Sequence, residues 1–304
     1  MRFCILSIVI PFLNAHAQDD PATFKSGRTE VRLDVQVTRA KRPVTDLNRA
    51  DFHVEDEGTP VELTYFAHDT EPIALVLLLD VSGSMRQFVE QMSSAATQAL
   101  KNLRPGDRVA VMIYGRKPLL PLDFSTNFDE VAKAIQTGPF HWEKTDGGTS
   151  TNEAVRAATL LLRFKAGPVG RRAILIVTDN GGVNEGLNDD EVIRQMLNAD
   201  TVLNAIAIGK AERSKVRSVN PFYTSTNVFA LAGATGGEAI RAAHAQAELA
   251  GMLERIRARY ALAYNLPAAG KPGEFHKVRV TLSQKGQQKS EVRVRSGYYG
   301  PPQP

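Results

Sequence analysis

The sequence predicts an α/β protein: a central, mostly parallel sheet flanked by helices, with a small β-sandwich formed from the N- and C-terminal segments. Three observations predict it. Short, continuous apolar runs alternate with helical patterns through the middle of the chain, the signature of a parallel-dominated sheet. On either side of that stretch, apolar and polar residues alternate with the period of half-buried strands. The chain has 304 residues, 43% of them hydrophobic and 23% charged, enough apolar material for one large core or two smaller ones. The expected organisation is a leader over 1–17, an N-terminal β-segment over 18–70, an α/β domain over 71–260, and a C-terminal β-segment over 261–304 that pairs with the N-terminal one.

The elements follow in order. Thr29–Thr38 alternates as a strand, Lys41-Arg42-Pro43 turns, and Asp51–Glu55 and Val61–Phe66 alternate around the turn Glu57-Gly58-Thr59-Pro60. At Pro72 the pattern changes. Ile73–Leu79 is a continuous apolar run, as expected of a central strand covered on both faces. Helical spacing covers Phe88–Leu103 and stops at Pro105-Gly106. Further buried strands are expected at Val109–Tyr114, Ala173–Val177 and Thr201–Ile208, with helices at Phe128–Ile135, Asn152–Phe164, Val192–Leu197 and Ala243–Tyr260. The strand period returns over Ala261–Leu266, His276–Leu282 and Ser290–Val294, with turns at Ala268–Gly273 and Lys285-Gly286.

The start of the chain reads as a secretory signal. Arg2 precedes an apolar run over Cys4–Leu13, and Ala15-His16-Ala17 is a small-x-small cleavage site. This predicts export to the periplasm or the extracellular space. Cleavage after Ala17 removes Cys4, the single cysteine, and with it any disulfide or thiolate chemistry in the mature chain. No other stretch is long and apolar enough to span a bilayer. The net charge of +4 comes from basic residues dispersed among acids, which gives no reason to expect a nucleic-acid partner.

Three separated pieces carry the candidate chemistry: Asp80-Val81-Ser82-Gly83-Ser84, Gly147-Gly148-Thr149-Ser150 and Thr178-Asp179. The first and third end predicted strands, and the second sits just before a predicted helix. In an open α/β sheet, ligands bind outside the carboxyl ends of the strands. Asp80, Asp179, Ser82, Ser84 and Thr149 together offer two carboxylates and three hydroxyls. Hard oxygen donors of this kind suit Mg²⁺, or Mn²⁺ or Ca²⁺, better than a softer ion. Two carboxylates leave such an ion short of charge, so a partner's Asp or Glu carboxylate is expected to complete its shell. Gly83 is expected to let the chain approach closely, and Gly147 and Gly148 to give their loop freedom.

These pieces resemble the metal-ion-dependent adhesion site of von Willebrand factor A domains, in the same order along Pro72–Tyr260. The resemblance implies a Rossmann-like core, direct ligation by Ser82, Ser84 and Thr149, acidic roles for Asp80 and Asp179, and a non-enzymatic, protein-binding function. Val44-Thr45-Asp46-Leu47, Asp51-Phe52 and Gly297-Tyr298-Tyr299 further resemble exported bacterial von Willebrand factor A-related proteins, known especially from acidobacteria. The third piece usually reads Thr-Asp-Gly, and here Asn180 follows Asp179. Asn tolerates the left-handed backbone that Gly would adopt.

The same residues admit other readings. Asp-x-Ser-Gly-Ser alone is often no more than a helix cap. A Mg²⁺-dependent phosphatase with an aspartate nucleophile normally carries a second acid two residues on, where this chain has Ser82. A vestigial site on a scaffold is a third reading. No Gly-x-Ser-x-Gly elbow, His-Glu-x-x-His or phosphate-loop lysine is present. The histidines are scattered singly, and Trp142 is either a loop anchor or part of a contact surface. Asn188-Asp189-Asp190-Glu191 reads as a helix start.

Overall fold

This computed structural model describes residues 30–68, 70–167, 170–212, 222–245, 248–267, 273–283 and 289–300. The expected leader, most of the turn at 268–273, the Lys285-Gly286 turn and the residues after 300 lie outside the described residues.

The N-terminal segment forms β1 (Glu30–Arg39), β2 (Arg42–Pro43), β3 (Phe52–Asp56), β4 (Thr59–Val61) and β5 (Leu63–His68). The core follows with β6 (Ile73–Asp80), α1 (Val89–Ala99), β7 (Arg108–Tyr114), β8 (Pro118–Ser125), α2 (Phe128–Thr137), α3 (Thr151–Lys165), β9 (Arg171–Thr178), β10 (Val183–Glu185), α4 (Asp189–Asn198), β11 (Thr201–Ile208), β12 (Tyr223–Ser225), α5 (Val228–Thr235), β13 (Ala239–Ala242) and α6 (Leu249–Arg257). The chain ends with β14 (Tyr260–Asn265), β15 (Phe275–Leu282), β16 (Ser290–Arg293) and β17 (Gly297–Tyr299).

The core is a six-stranded sheet in the order β13-β11-β9-β6-β7-β8. All its pairings are parallel except that of the edge strand β8. β6 lies at its centre, buried along its whole length. Its alternating side chains feed two layers: Leu75, Leu77 and Leu79 pack with α1, α2 and α6, while Ala74, Val76 and Leu78 pack with α3, α4 and α5. This is why the strand reads as an unbroken apolar run.

The two chain ends make the sandwich. One sheet runs β16-β1-β14-β5 and the other β17-β15-β3-β4. Val31, Leu33, Val35 and Val37 of β1 face Phe52, Val54, Val278, Val280 and Leu282 in a third apolar cluster. Asp56 Oδ2 ties both ends together, accepting hydrogen bonds from Tyr264 (2.8 Å) and Tyr298 (2.9 Å). Below the parallel sheet, Asp34 of β1 pairs with Arg171 (3.1 Å) and Arg259 (2.8 Å), joining sandwich to core.

The structure departs from the sequence expectation in several places, among them the short strands β10 and β12. β8 was not expected, because Pro118 and Pro121 and two register breaks hide its alternation; prolines are tolerated at a sheet edge. Helix α5, Val-Phe-Ala-Leu-Ala-Gly-Ala-Thr, is apolar on nearly every side and shows no helical period. The neighbouring strand β13 and the short β17 were also unread. The helix expected over Ala243–Tyr260 spans only Leu249–Arg257, because Arg259 is drawn into the buried junction with Asp34 and Tyr260 pairs with Val35 in the sandwich.

Candidate metal centre

The carboxyl ends of β6, β7 and β9 meet at one point. Asp80 is the last residue of β6, and Tyr114 and Thr178 end the strands on either side. Asp80 is fully buried. Its Oδ2 accepts from Thr178 Oγ1 (2.7 Å) and Tyr114 OH (3.2 Å), and its Oδ1 accepts from the backbone N–H of Ser82 (2.9 Å). Among the described residues no lysine, arginine or histidine pairs with Asp80 or Asp179. Burial raises the Asp80 pKa to about 6; the hydrogen bonds from Ser82 and Thr178 oppose this, and the nearby charge of Asp179 adds to it.

The hydroxyl pair lies directly above. Ser82 opens the 3-10 segment Gly83–Phe88, yet its side chain makes no capping hydrogen bond. Its Oγ instead lies 3.4 Å from Ser84 Oγ. Helix capping therefore does not account for the Asp-x-Ser-Gly-Ser piece. A side chain added at Gly83 would meet no protein atom within 4 Å, so close packing within the chain does not explain that glycine.

Backbone hydrogen bonds tie the Thr149 loop to its neighbours. Asp146, Gly147 and Gly148 are all left-handed, with φ of 61°, 63° and 65°, a run that favours glycine strongly. Arg116 N–H donates to Gly147 O (2.7 Å) and Ser150 N–H to Gly115 O (2.9 Å), pinning the loop to the β7–β8 turn. Thr149 O accepts from Val183 N–H (2.9 Å), just beyond the Asp179 loop. The structure thus joins Asp80 to Ser82 through the Ser82 backbone N–H and Ser82 to Ser84 through their hydroxyls, and brings Thr149 beside the Asp179 loop through its backbone. Thr149 and Asp179 are both half-buried.

Asp179 Oδ1 accepts from Gly181 N–H (2.9 Å), which closes a tight loop. Asn180 sits at φ 62°, as its place after Asp179 required. Its side chain does more than tolerate that conformation. Oδ1 accepts from Val228 N–H at the start of α5 (3.0 Å) and Nδ2 donates to Ala211 O (3.3 Å). The carboxamide braces the loop against the start of α5 and the segment after β11, which a glycine has no atoms to do.

The sequence places Thr178 in the third piece and Asn180 directly after it without giving either a role, and it does not point to Tyr114 or Thr151. Thr151 Oγ1 lies 3.4 Å from Tyr114 OH. Their signal was available: each ends a strand, follows one, or opens a helix at this edge. Trp142 is half-buried against the core and lies under Arg86, whose guanidinium carbon is 3.5 Å from the ring centroid; it anchors its loop. Asn188 caps α4 through its side chain, as expected for a helix start.

The donor set fits a hard divalent cation. It is all oxygen, it includes a buried carboxylate with no basic partner, and two of its hydroxyls are close enough to serve one ion. Among the described residues no cluster of three or more His, Cys, Asp or Glu side chains offers a competing site.

A mostly parallel sheet flanked by helices is the fold of a von Willebrand factor A domain. Residues 75–182 match the profile of the von Willebrand factor type A domain, and the chain contains such a domain. No curated protein matches the chain. Similar solved structures include an aerotolerance-related membrane protein from Bacteroides fragilis with multiple mutations to serines, at 16% identity and TM-score 0.47 over 60% of this chain and 98% of that one. BatB from Bacteroides thetaiotaomicron, a conserved hypothetical protein, is 18% identical with TM-score 0.47 over 60% and 97% of the two chains. Proximal thread matrix protein 1 from the mussel byssus, with a zinc-occupied MIDAS motif, is 13% identical with TM-score 0.48 over 63% of this chain and 48% of that one.

Proposed function

We propose that the chain is an exported protein-binding module whose grip depends on a divalent cation, with Mg²⁺ the expected ion and Mn²⁺ or Ca²⁺ able to replace it. Ser82, Ser84 and Thr149 supply hydroxyl oxygens, and Asp80 and Asp179 supply charge. The cation, when bound, offsets the two carboxylates and offers a coordination position to an Asp or Glu of the partner. Tyr114 and Thr178 hold the Asp80 carboxylate in place from the neighbouring strands. The bracing of Asn180 fixes the Asp179 loop before any ion arrives, so little ordering entropy opposes binding. The observation that carries the reading is the fully buried Asp80 carboxylate with hydroxyls above it and no basic partner.

The test is affinity capture from envelope extract in Mg²⁺ and in chelator. A retained protein that is released by chelator and returns when metal is restored supports the proposal, provided Asp80→Ala captures nothing. Capture that ignores chelator contradicts it.

A further inference from the structure

We propose that three buried side chains, Asn152, Asn184 and Thr226, set the ion preference of the metal centre: they fix how Thr149 stands relative to Asp179, and so favour Mg²⁺ over the larger Ca²⁺. They act as positioning residues, and the inference rests on the metal-dependent reading above.

The candidate ligands reach the centre in different ways. Asp80 ends β6, and Asp179 directly follows β9, the strand paired with it. Strand register therefore sets the spacing of those two backbones. Thr149 lies on no strand. It precedes α3, which packs on one face of the sheet, so bonds outside the sheet must set its place.

Those bonds form a closed set. Thr149 O accepts from Val183 N–H (2.9 Å), and Gly182 O accepts from Thr226 N–H (3.2 Å). In the first turn of α3, Asn152 N–H donates to Asn184 Oδ1 (2.9 Å). Asn184 Nδ2 donates to Thr226 Oγ1 (2.8 Å), which in turn donates to Asn152 Oδ1 (2.9 Å). Asn152 Nδ2 donates to Leu187 O (3.1 Å) and Asp189 Oδ1 (2.9 Å). Each carboxamide has one orientation that satisfies these partners, because Asn152 Nδ2 faces two acceptors and Asn184 Oδ1 faces a donor. All three side chains are buried, where a satisfied polar network makes its surroundings rigid and a broken one is costly. A side chain at Gly182 would collide with Thr151, so the two segments touch. The start of α3, just after Thr149, is thus locked to the segment that leaves Asp179.

Such a lock bears on ion size. Mg²⁺ demands near-ideal geometry with oxygens at about 2.0–2.1 Å, whereas Ca²⁺ accepts irregular shells at about 2.3–2.6 Å. A hydroxyl held at a fixed place serves the first ion more than the second. Loosening the lock frees Thr149, at a cost that falls mainly on Mg²⁺.

The test titrates Mg²⁺ and Ca²⁺ calorimetrically, in separate runs, into the wild type, Asn152→Ala, Thr226→Val and Thr226→Ser, with folding checked by urea unfolding in chelator. Asn152→Ala and Thr226→Val should bind Mg²⁺ about tenfold more weakly and lose less affinity for Ca²⁺, so the ratio of the two falls. Thr226→Ser keeps the hydroxyl and should keep the wild-type ratio. Where Asn152→Ala fails to fold, Thr226→Val, which nearly preserves the shape of threonine, carries the test. An unchanged ratio in Thr226→Val, whether both affinities hold or both fall together, overturns the inference and leaves the metal centre standing. A wild type that binds neither ion removes the metal-dependent reading, and this inference with it.

Discussion

The two ends of strand β6 carry opposite solutions to the same problem. At its start, Ile73 N–H donates to Asp107 Oδ1 (3.0 Å), and Asp107 is fully buried. Its other oxygen accepts from Arg104 N–H (2.8 Å) and lies 3.3 Å from Arg257 Nε. At its end, Asp80 is equally buried, but only neutral donors surround it. The chain brings a cation to one carboxylate and leaves the other without one. A buried charge without a counter-charge costs stability, so the two ends differ in whether the fold itself supplies the counter-charge: it does for Asp107 and does not for Asp80.

Breaking the paired end should give the largest effect. Asp107→Ala leaves the buried Arg257 without that partner and should cost about 3–5 kcal/mol in urea unfolding. If it costs no more than a surface substitution, the contrast between the two ends is false.

The unpaired end should respond to pH in the opposite sense from an ordinary ion-paired acid. Folding raises the Asp80 pKa from 3.8 to about 6, so the folded chain keeps a proton there that the unfolded chain has released. In chelator, this contribution is full below pH 3.8 and is lost as pH rises through about 6, up to about 3 kcal/mol in all. Unfolding titrations of wild type and Asp80→Asn should differ in slope across that window. Parallel curves would remove Asp80 as the source. Metal binding should weaken over the same range as pH falls, since ligation needs the carboxylate.

At neutral pH in chelator, Asp80→Asn should raise stability by about 1–2 kcal/mol, less than the full pH effect because a carboxamide has one accepting oxygen and cannot accept on both sides as the carboxylate does. A loss of stability would show that those bonds outweigh the buried charge. The smallest effect is expected from Asn180→Gly, which suits the left-handed backbone but loses the bonds to Val228 and Ala211. It should cost about 1 kcal/mol and weaken Mg²⁺ affinity several-fold. Unchanged affinity would make the brace structural only.

What the sequence revealed, and what it hid, follows the same divide between local and distant information. Asp80, Ser82 and Ser84 could be read because they share one turn, and the runs feeding that edge were plain apolar strands. The sandwich could be read because β1, β3 and β15 alternate cleanly. The partners of Asp80 could not, since Tyr114 and Thr178 lie 34 and 98 residues away and meet it only through strand register. Nor could α5, whose apolar faces carry no period, or the edge strand β8, whose prolines look like a loop. Asn180 looked like a tolerated exception, and its bracing role depends on Ala211 and Val228, which are brought to it by the parallel sheet.

The central claim is that Asp80, Ser82, Ser84, Thr149 and Asp179 together hold a divalent cation. Calorimetric titration of Mg²⁺ into wild type and Asp80→Asn, both near neutral pH, tests it most directly. The account predicts saturable binding of one ion in the wild type and none in the variant, with both chains folded. Equal binding in the two would place the ion elsewhere and contradict it.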